Sequence, residues 1–208
     1  MSYLKSVLYS TASHMRQFVS KMFNVAFKSK SLQSDINMNE VLFYGADDKE
    51  QSKQIGLNNI LCIYYVVMHA STTVDVCVPS LVSETIINCL LSVQQRNKVK
   101  IRVTVHNSVD FQNLQCLSQN GIEVRVFSSA VALEHEFILI DASDNFEDAV
   151  AMLGSLDYET GRVNHNRDAT VLTSDAAVVR ALKNEFERVW YSSANIIFEN
   201  EGKDFELS

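Results

Sequence analysis

Glu134-His135-Glu136-Phe137-Ile138-Leu139-Ile140-Asp141 is the stretch whose reading decides the fold. Four apolar residues, Phe137 to Ile140, stand between charged ends, and a run this short reads as a buried strand of a parallel sheet. Alternation along a strand puts Glu134 and Glu136 on one face and His135 on the other. Asp141 closes the run at its C-terminal end, where open α/β sheets bind ligands. A second apolar run follows, Ala149 to Leu153, closed by Gly154-Ser155. The loop between the two is acidic, with Asp144, Glu147 and Asp148.

Outward from this pair, the pattern alternates. Val41 to Tyr44, Val74 to Val78, Val99 to Val105, Ile122 to Phe127 and Ala169 to Thr173 read as strands. Between them, Ile55 to Ala70 reads as a helix burying Ile60, Leu61, Tyr64, Val67 and Met68. Ser83 to Arg96 reads as a helix capped by Ser83, and Asp110 to Gln119 as one closed by Gly121. A last helix, Ser174 to Ser192, presents Val178, Val179, Leu182, Phe186, Val189 and Trp190 to the core. Strands alternating with helices predict a mostly parallel mixed sheet covered on both faces. The organisation expected is a basic segment and linker over 1–38, one α/β domain over 39–193 and an acidic tail over 194–208.

The chain is 208 residues long, enough for one domain with a real core. Its net charge of −7 does not steer the whole protein to nucleic acid or anionic lipid. The charge is uneven. Residues 1–34 carry Lys5, Arg16, Lys21, Lys28 and Lys30 and no acid, leaving 13 bases against 25 acids in the remainder. So acidic a body is a poor phosphate binder, and nucleic-acid binding is not expected. Leu4, Val7, Leu8, Met15, Phe18, Val19, Met22, Phe23 and Phe27 recur near helical spacing, but lysines interrupt them too often for a membrane span. Three readings fit residues 1–34: a mitochondrial targeting segment, an amphipathic helix on an anionic membrane, or an ordinary terminal helix. Cys62, Cys77, Cys89 and Cys116 lie at no metal-ligand spacing and read as free thiols in a reducing compartment. No Gly-rich phosphate loop is present, and no cofactor is expected.

Five short matches, in order, give the chain a family resemblance. Glu40-Val41-Leu42-Phe43-Tyr44 resembles an opening Glu-x-Leu-Phe-Phe strand. Glu134-His135-Glu136-Phe137 followed by apolar residues to Asp141 has the spacing of a His-x-Lys-Phe strand running to Asp. Gly154-Ser155-Leu156-Asp157 resembles Gly-Ser-x-Asn. Asn166-Arg167-Asp168 resembles Asn-Arg-Glu, and Glu185-Phe186-Glu187-Arg188-Val189-Trp190 resembles Glu-Phe-Glu-Arg-x-Trp. Together these resemble the phospholipase D superfamily, and within it the single-motif Zucchini, or mitochondrial cardiolipin hydrolase, branch. The resemblance covers residues 40–192 and implies a phospholipase D-like α/β/α sandwich.

The departures fall on the chemistry. In that family the motif His attacks phosphorus, Lys and Asn bind phosphoryl oxygens, and an acid tunes the His. Glu134 stands at the His position, Glu136 at the Lys position and Asp157 at the Asn position, while Asp141 and Ser155 keep the family residue. Phosphoryl transfer needs cations and donors around the developing charge, and three carboxylates there repel a phosphodiester. For His135 to replace the nucleophile, the strand must slip by one residue, which places Phe137 at the Lys position and turns the apolar run inside out. A packed or hydrogen-bonded His135 is therefore expected.

The resemblance then implies a catalytically inactive member acting as a binding or scaffold partner. It points to the mitochondrial surface, otherwise the cytoplasm, and to cardiolipin or small-RNA (piRNA) processes. Its partner would be a second copy or an active family member, with peripheral membrane contact through residues 1–34. Two alternatives stay open: a working phosphodiesterase with a rearranged site, and a dimer that gathers Glu134, Glu136, Asp141 and Asp157 around a divalent cation. His106 and His165 stand near the site end of their elements, and surface roles are expected for both.

Overall fold

The computed structural model describes residues 38–43, 45, 49–96, 99–106, 111–143, 146–154 and 168–197. Strands β1 (Asn39–Phe43), β2 (Thr73–Val78), β3 (Lys100–His106), β4 (Glu123–Phe127), β5 (Phe137–Ile140), β6 (Val150–Gly154), β7 (Ala169–Thr173) and β8 (Asn195–Ile197) form one sheet. Its order is β1-β7-β6-β5-β2-β3-β4-β8. The helices are α1 (Lys49–Met68), α2 (Glu84–Arg96), α3 (Phe111–Gln119) and α4 (Ala176–Trp190), with a 3-10 turn at Phe146–Asp148.

Alternation builds two cores from one sheet. Val74, Val76, Val78, Ile101, Val103, Val105, Ile138, Ile140, Val150 and Met152 point to one side. There they pack against Ile60, Ile63, Val66 and Val67 of α1, Ile86, Ile87, Leu90 and Val93 of α2, and Leu114 and Leu117 of α3. Cys77, Phe137, Leu139, Ala149 and Ala151 point to the other side, against Val179, Phe186, Val189 and Trp190 of α4. Each fully buried aliphatic or aromatic side chain contributes about 1.5–3 kcal/mol relative to exposure, so the two faces fix the register of β5 unambiguously.

The expected balance of the sheet is corrected. β2–β3 and β3–β4 are parallel, but β5 is antiparallel to both β2 and β6. The β1–β7, β6–β7 and β4–β8 pairs are antiparallel as well. The cause is the segment 128–136, which contains no helix. A parallel return needs a crossover, usually helical. Here the chain crosses the sheet at the end where β4 finishes and starts β5 from that end, so β5 runs the other way.

Several local expectations hold. Ile86 N–H donates to Ser83 Oγ at 3.4 Å, so Ser83 caps α2. Gly121, at φ 82, ends α3 and lets Ile122 N–H reach back to Leu117 O at 3.1 Å. Other expectations shift. α1 starts at Lys49, ahead of the expected start at Ile55, and Leu61 is 47% exposed because the buried stripe runs Ile60-Ile63-Val66-Val67. Val178 is 38% exposed. It stands at the start of α4, where Asp175 Oδ1 accepts from Ala177 N–H and Val178 N–H at 2.9 and 3.0 Å. The expected tail contributes β8 to the sheet edge.

Between α4 and the sheet lie four buried or half-buried charges. Asp75, fully buried on β2, accepts from Arg102 Nε at 2.7 Å and from Lys183 Nζ at 2.6 Å. Arg102 Nη2 also donates to Glu187 Oε1 at 2.8 Å, and Lys183 Nζ lies 3.1 Å from the same oxygen. Arg102 rests over the rings of Phe186 and Trp190, 4.7 and 5.2 Å from their centroids. Two acids and two bases leave the group neutral. Burial alone would lower Arg102 and raise Glu187, but their hydrogen bonds outweigh it, holding Arg102 above and Glu187 below the ordinary values.

Candidate functional site

The C-terminal ends of the parallel strands β2, β3 and β4 define one edge of the sheet, hereafter the upper edge. Because β5 is antiparallel to β2, its beginning lies at that edge. Glu134, His135 and Glu136 therefore sit at the upper edge with Val78, His106 and Phe127, beside the end of β6 at Gly154. Glu136 O accepts from Gly154 N–H at 3.2 Å and joins the two. Gly154 has φ 119, and a Cβ there would lie 2.3 Å from Ala169 O. Only glycine lets β6 and β7 close together here, which explains the glycine of the Gly154-Ser155 pair.

Asp141 lies at the opposite edge. From Glu136 to Asp141 the strand spans five residues, roughly 16 Å at ~3.3 Å each. Its carboxylate is occupied there. Oδ1 accepts from Ser71 N–H at 3.0 Å, Thr72 N–H at 2.7 Å, Thr72 Oγ1 at 3.0 Å and Thr73 N–H at 3.1 Å. Oδ2 accepts from Ser71 N–H and Ser71 Oγ, both at 3.0 Å. Asp141 N–H returns a bond to Thr73 O at 2.8 Å, and the residue takes φ 53 to do so. Asp141 ties the end of β5 to the turn that leaves α1. The ligand-end rule pointed to Asp141 only on the assumption of a parallel β5. With the strand reversed, the rule selects Glu134 and Glu136.

The structure thus brings Glu134 and Glu136 to one edge and separates Asp141 from them. The proposed carboxylate set of a divalent-cation site is broken by that separation, and among the described residues no group of three or more candidate metal ligands is present. Ser155 and Asp157, as well as His165, Asn166 and Arg167, lie outside the described residues, as does Asp144. Asp168 accepts from Ala169 N–H at 2.7 Å at the start of β7.

His135 is on the α4 face of the sheet, the face of Phe137 and Cys77. Its ring stacks on Phe137 at 5.6 Å, and Nε2 lies 3.4 Å from Glu185 Oε1 and 3.8 Å from Cys77 Sγ. Glu185 is also held by Arg188 through two bonds of 2.7 Å. The Arg188 hydrogen bonds, and after them the Arg188 and His135 charges, lower its carboxyl below the usual range despite burial. Cys77 is buried beneath, and burial pushes its thiol up to about 12, too high for a nucleophile. Cys62 and Cys89 are pushed up to about 12 by burial in the same way, while Cys116 is half-buried; all four are free thiols. His106 Nε2 lies 3.1 Å from Ser129 O, so it braces the 128–136 segment at the upper edge.

Glu185 and Glu187 entered the sequence reading only as part of a family match, and their pairing with His135 and with Asp75, Arg102 and Lys183 was not foreseen. A signal existed: Asp75 and Arg102 each interrupt a run of β-branched residues, and the register sets them opposite one another.

The sequence profile described as "Cardiolipin synthase, PLD-like domain" matches residues 64–190, more than half of the chain. The chain belongs to this phospholipase D-like family. Curated relatives support the Zucchini-like branch. A Xenopus laevis mitochondrial cardiolipin hydrolase is 27% identical over 124 residues, covering 58% of this chain and 56% of the relative. The Homo sapiens mitochondrial cardiolipin hydrolase is 28% identical over 126 residues, covering 58% and 46%. The chain therefore spans about half the length of the curated relatives it matches. Among solved structures, the phospholipase D family member Nuc from Salmonella typhimurium superposes with a TM-score of 0.61 at 13% identity, covering 79% of this chain and 99% of Nuc. NucT from Helicobacter pylori gives 0.58 at 14% identity, covering 78% and 100%. Both share the fold. The described residues of this phospholipase D-like chain form a mixed eight-stranded sheet within that shared fold.

Proposed function

We propose that this phospholipase D-like protein is catalytically inactive and serves as a binding or scaffold partner at a mitochondrial surface. The observation that carries the reading is the placement of Glu134 and Glu136 at the upper edge, where the family pattern sets a nucleophile and a cation. A phosphodiester brings negative charge to a place that already holds it. The names of the curated relatives support the mitochondrial setting. Small-RNA processing enters only by analogy with the branch.

The expected result with purified protein and a generic phosphodiester is no turnover. Turnover that disappears in Glu134→Gln or Glu136→Gln would refute inactivity. The competing reading, a phosphodiesterase with a rearranged site, has one observation on its side: the His135–Glu185 pair at the same edge. Turnover lost in His135→Ala and kept in Glu134→Gln would establish it.

A symmetric homodimer joined at the upper edge would set Glu134 and Glu136 against their own copies. At an effective dielectric of ~20, two like charges roughly 6 Å apart repel by about 3 kcal/mol. The homodimer is expected to be weaker at neutral pH than near about pH 5, where carboxylates begin to take protons, or to tighten with Ca²⁺ or Mg²⁺. An active family member, presenting His and Lys to these acids, is expected to compete with it. Sedimentation velocity at both pH values, with and without metal, decides. A homodimer indifferent to both would show that these carboxylates do not face each other.

Residues 1–34, with five bases and no acid, are proposed to bring the protein to a mitochondrial or other anionic membrane. A fluorescent fusion of this segment is expected to mark mitochondria. Diffuse signal would leave the segment without a targeting role.

A further inference from the structure

The two faces of the sheet are not covered alike. On the α4 side the register draws one apolar row across five strands. Val41 lies opposite Val171, Val171 opposite Leu153, Leu153 opposite Phe137 and Phe137 opposite Cys77. Under α4 the row is closed: Phe137 is 1% exposed and Cys77 is fully buried. On the β7–β1 ribbon it is open, with Val171 38%, Val41 48% and Phe43 70% exposed. The other side of the same ribbon packs normally, through Leu172 and Leu42, against the three-helix core. An apolar strip continuous with a core and rimmed by polar residues marks a contact surface.

The chain itself reaches the strip from one end. Met38 N–H donates to Ser174 Oγ at 2.7 Å, and Ser174 N–H donates to Met38 O at 2.8 Å. Met38 therefore stands at the lower end of the ribbon, beside the N-terminus of α4. The 37 residues before it lie outside the described ones, and their sequence is what bears on the strip. Met15, Phe18, Val19, Met22, Phe23 and Phe27 recur at helical spacing, and every charge up to residue 34 is positive.

We propose that residues 15–27 of this same chain cover the bare β1–β7 strip alongside α4. The lengths agree. Five residues of β1 span roughly 17 Å, and thirteen residues at helical rise span roughly 20 Å. The ten residues from 28 to 37 reach up to about 33 Å, enough to turn the segment back over the ribbon. The charges agree as well: Asp175 stands at the lower end of the ribbon and Asp168 at the upper end, and the segment brings Arg16 and Lys21, with Lys28 directly after it. The strip and a membrane then compete for one apolar face, so docking withholds the segment from lipid.

The test uses the full chain with Phe43 replaced by the photoprobe p-benzoylphenylalanine, irradiated in dilute solution without vesicles, with adducts mapped by mass spectrometry. Position 43 is exposed, so the fold tolerates the probe. The expected result is a monomer-sized product joining position 43 to residues 15–27. A dimer-sized product, which would mean a second copy occupies the strip, overturns the proposal. So does an irradiated sample with no adduct in 15–27. Independently, Phe43→Asp is expected to speed tryptic cleavage after Lys21 and Lys28 about tenfold, as loss of a closed state raises the open population; an unchanged rate overturns it. Neither readout involves a membrane, so failure of the targeting proposal leaves this one decided on its own evidence.

Discussion

Replacing Arg102 by methionine is expected to cost about 3 kcal/mol of stability, the lower part of the range for breaking a buried ion pair. The substitution keeps the volume and the contact with Phe186 and Trp190 but removes one of the two cations facing Asp75. Lys183 remains at 2.6 Å, which keeps the cost from the top of the range. Asp75 and Glu187 are then left with a single cation in a site where Asp75 has no access to water. Urea unfolding measures the effect, and a loss below about 1 kcal/mol, the range of exposed pairs, would show that water or local rearrangement relieves the charge. Apolar replacement of all four residues together is expected to recover most of the loss, because the four then no longer need desolvation. Acid provides a further check. Glu187 is held below its ordinary value of 4.5, so its contribution is fully present above that value and is lost as pH falls through the lowered one. Arg102→Met is expected to flatten this acid limb of the stability curve.

Asp141→Ala is expected to be of similar size, about 3 kcal/mol or more, since hydrogen bonds to a charged group contribute about 1.5–3 kcal/mol each and several are lost together. The backbone N–H groups of Ser71, Thr72 and Thr73 lose their acceptor, and alanine must take a positive φ. The same change is expected to leave any association through Glu134 and Glu136 intact when measured on folded protein, because Asp141 is at the other edge. Weakened association without weakened stability would mean that the two edges are coupled. A chemical-melt midpoint and a partner titration on the same sample separate these outcomes.

Much of this architecture can be read from residues alone. The period of two between Phe137 and Ile140 sorts Phe137 and Leu139 to one face and Ile138 and Ile140 to the other, and the side chains obey it. The helices at Glu84–Arg96 and Phe111–Gln119 announced themselves through spacing, Ser83 and Gly121. The direction of β5 was hidden, because it depends on which edge of the sheet the 128–136 segment reaches, a property of the whole path. That hidden direction misplaced Asp141. The start of α1 was hidden because its first turns are polar and carry no periodicity. The pairing of Asp75 with Arg102 required the register between two strands, although each charge was conspicuous in its own run.

The pairing of β1 with β7 has a consequence for how the protein is made. Asn39 and Thr173 are joined side chain to side chain across 134 positions of chain, and Asn39 to Phe43 have Thr173 to Ala169 as strand partners. During translation at about 5–20 residues per second, β1 leaves the ribosome roughly ten seconds before β7 exists. Through that interval the nascent chain carries an unmatched edge with Val41 and Phe43 on it, a template for wrong pairing. Contacts this distant in sequence also form slowly. Synthesis of this protein therefore includes a vulnerable period set by the separation of two strands, and a chaperone that holds extended apolar segments has its natural moment of action there.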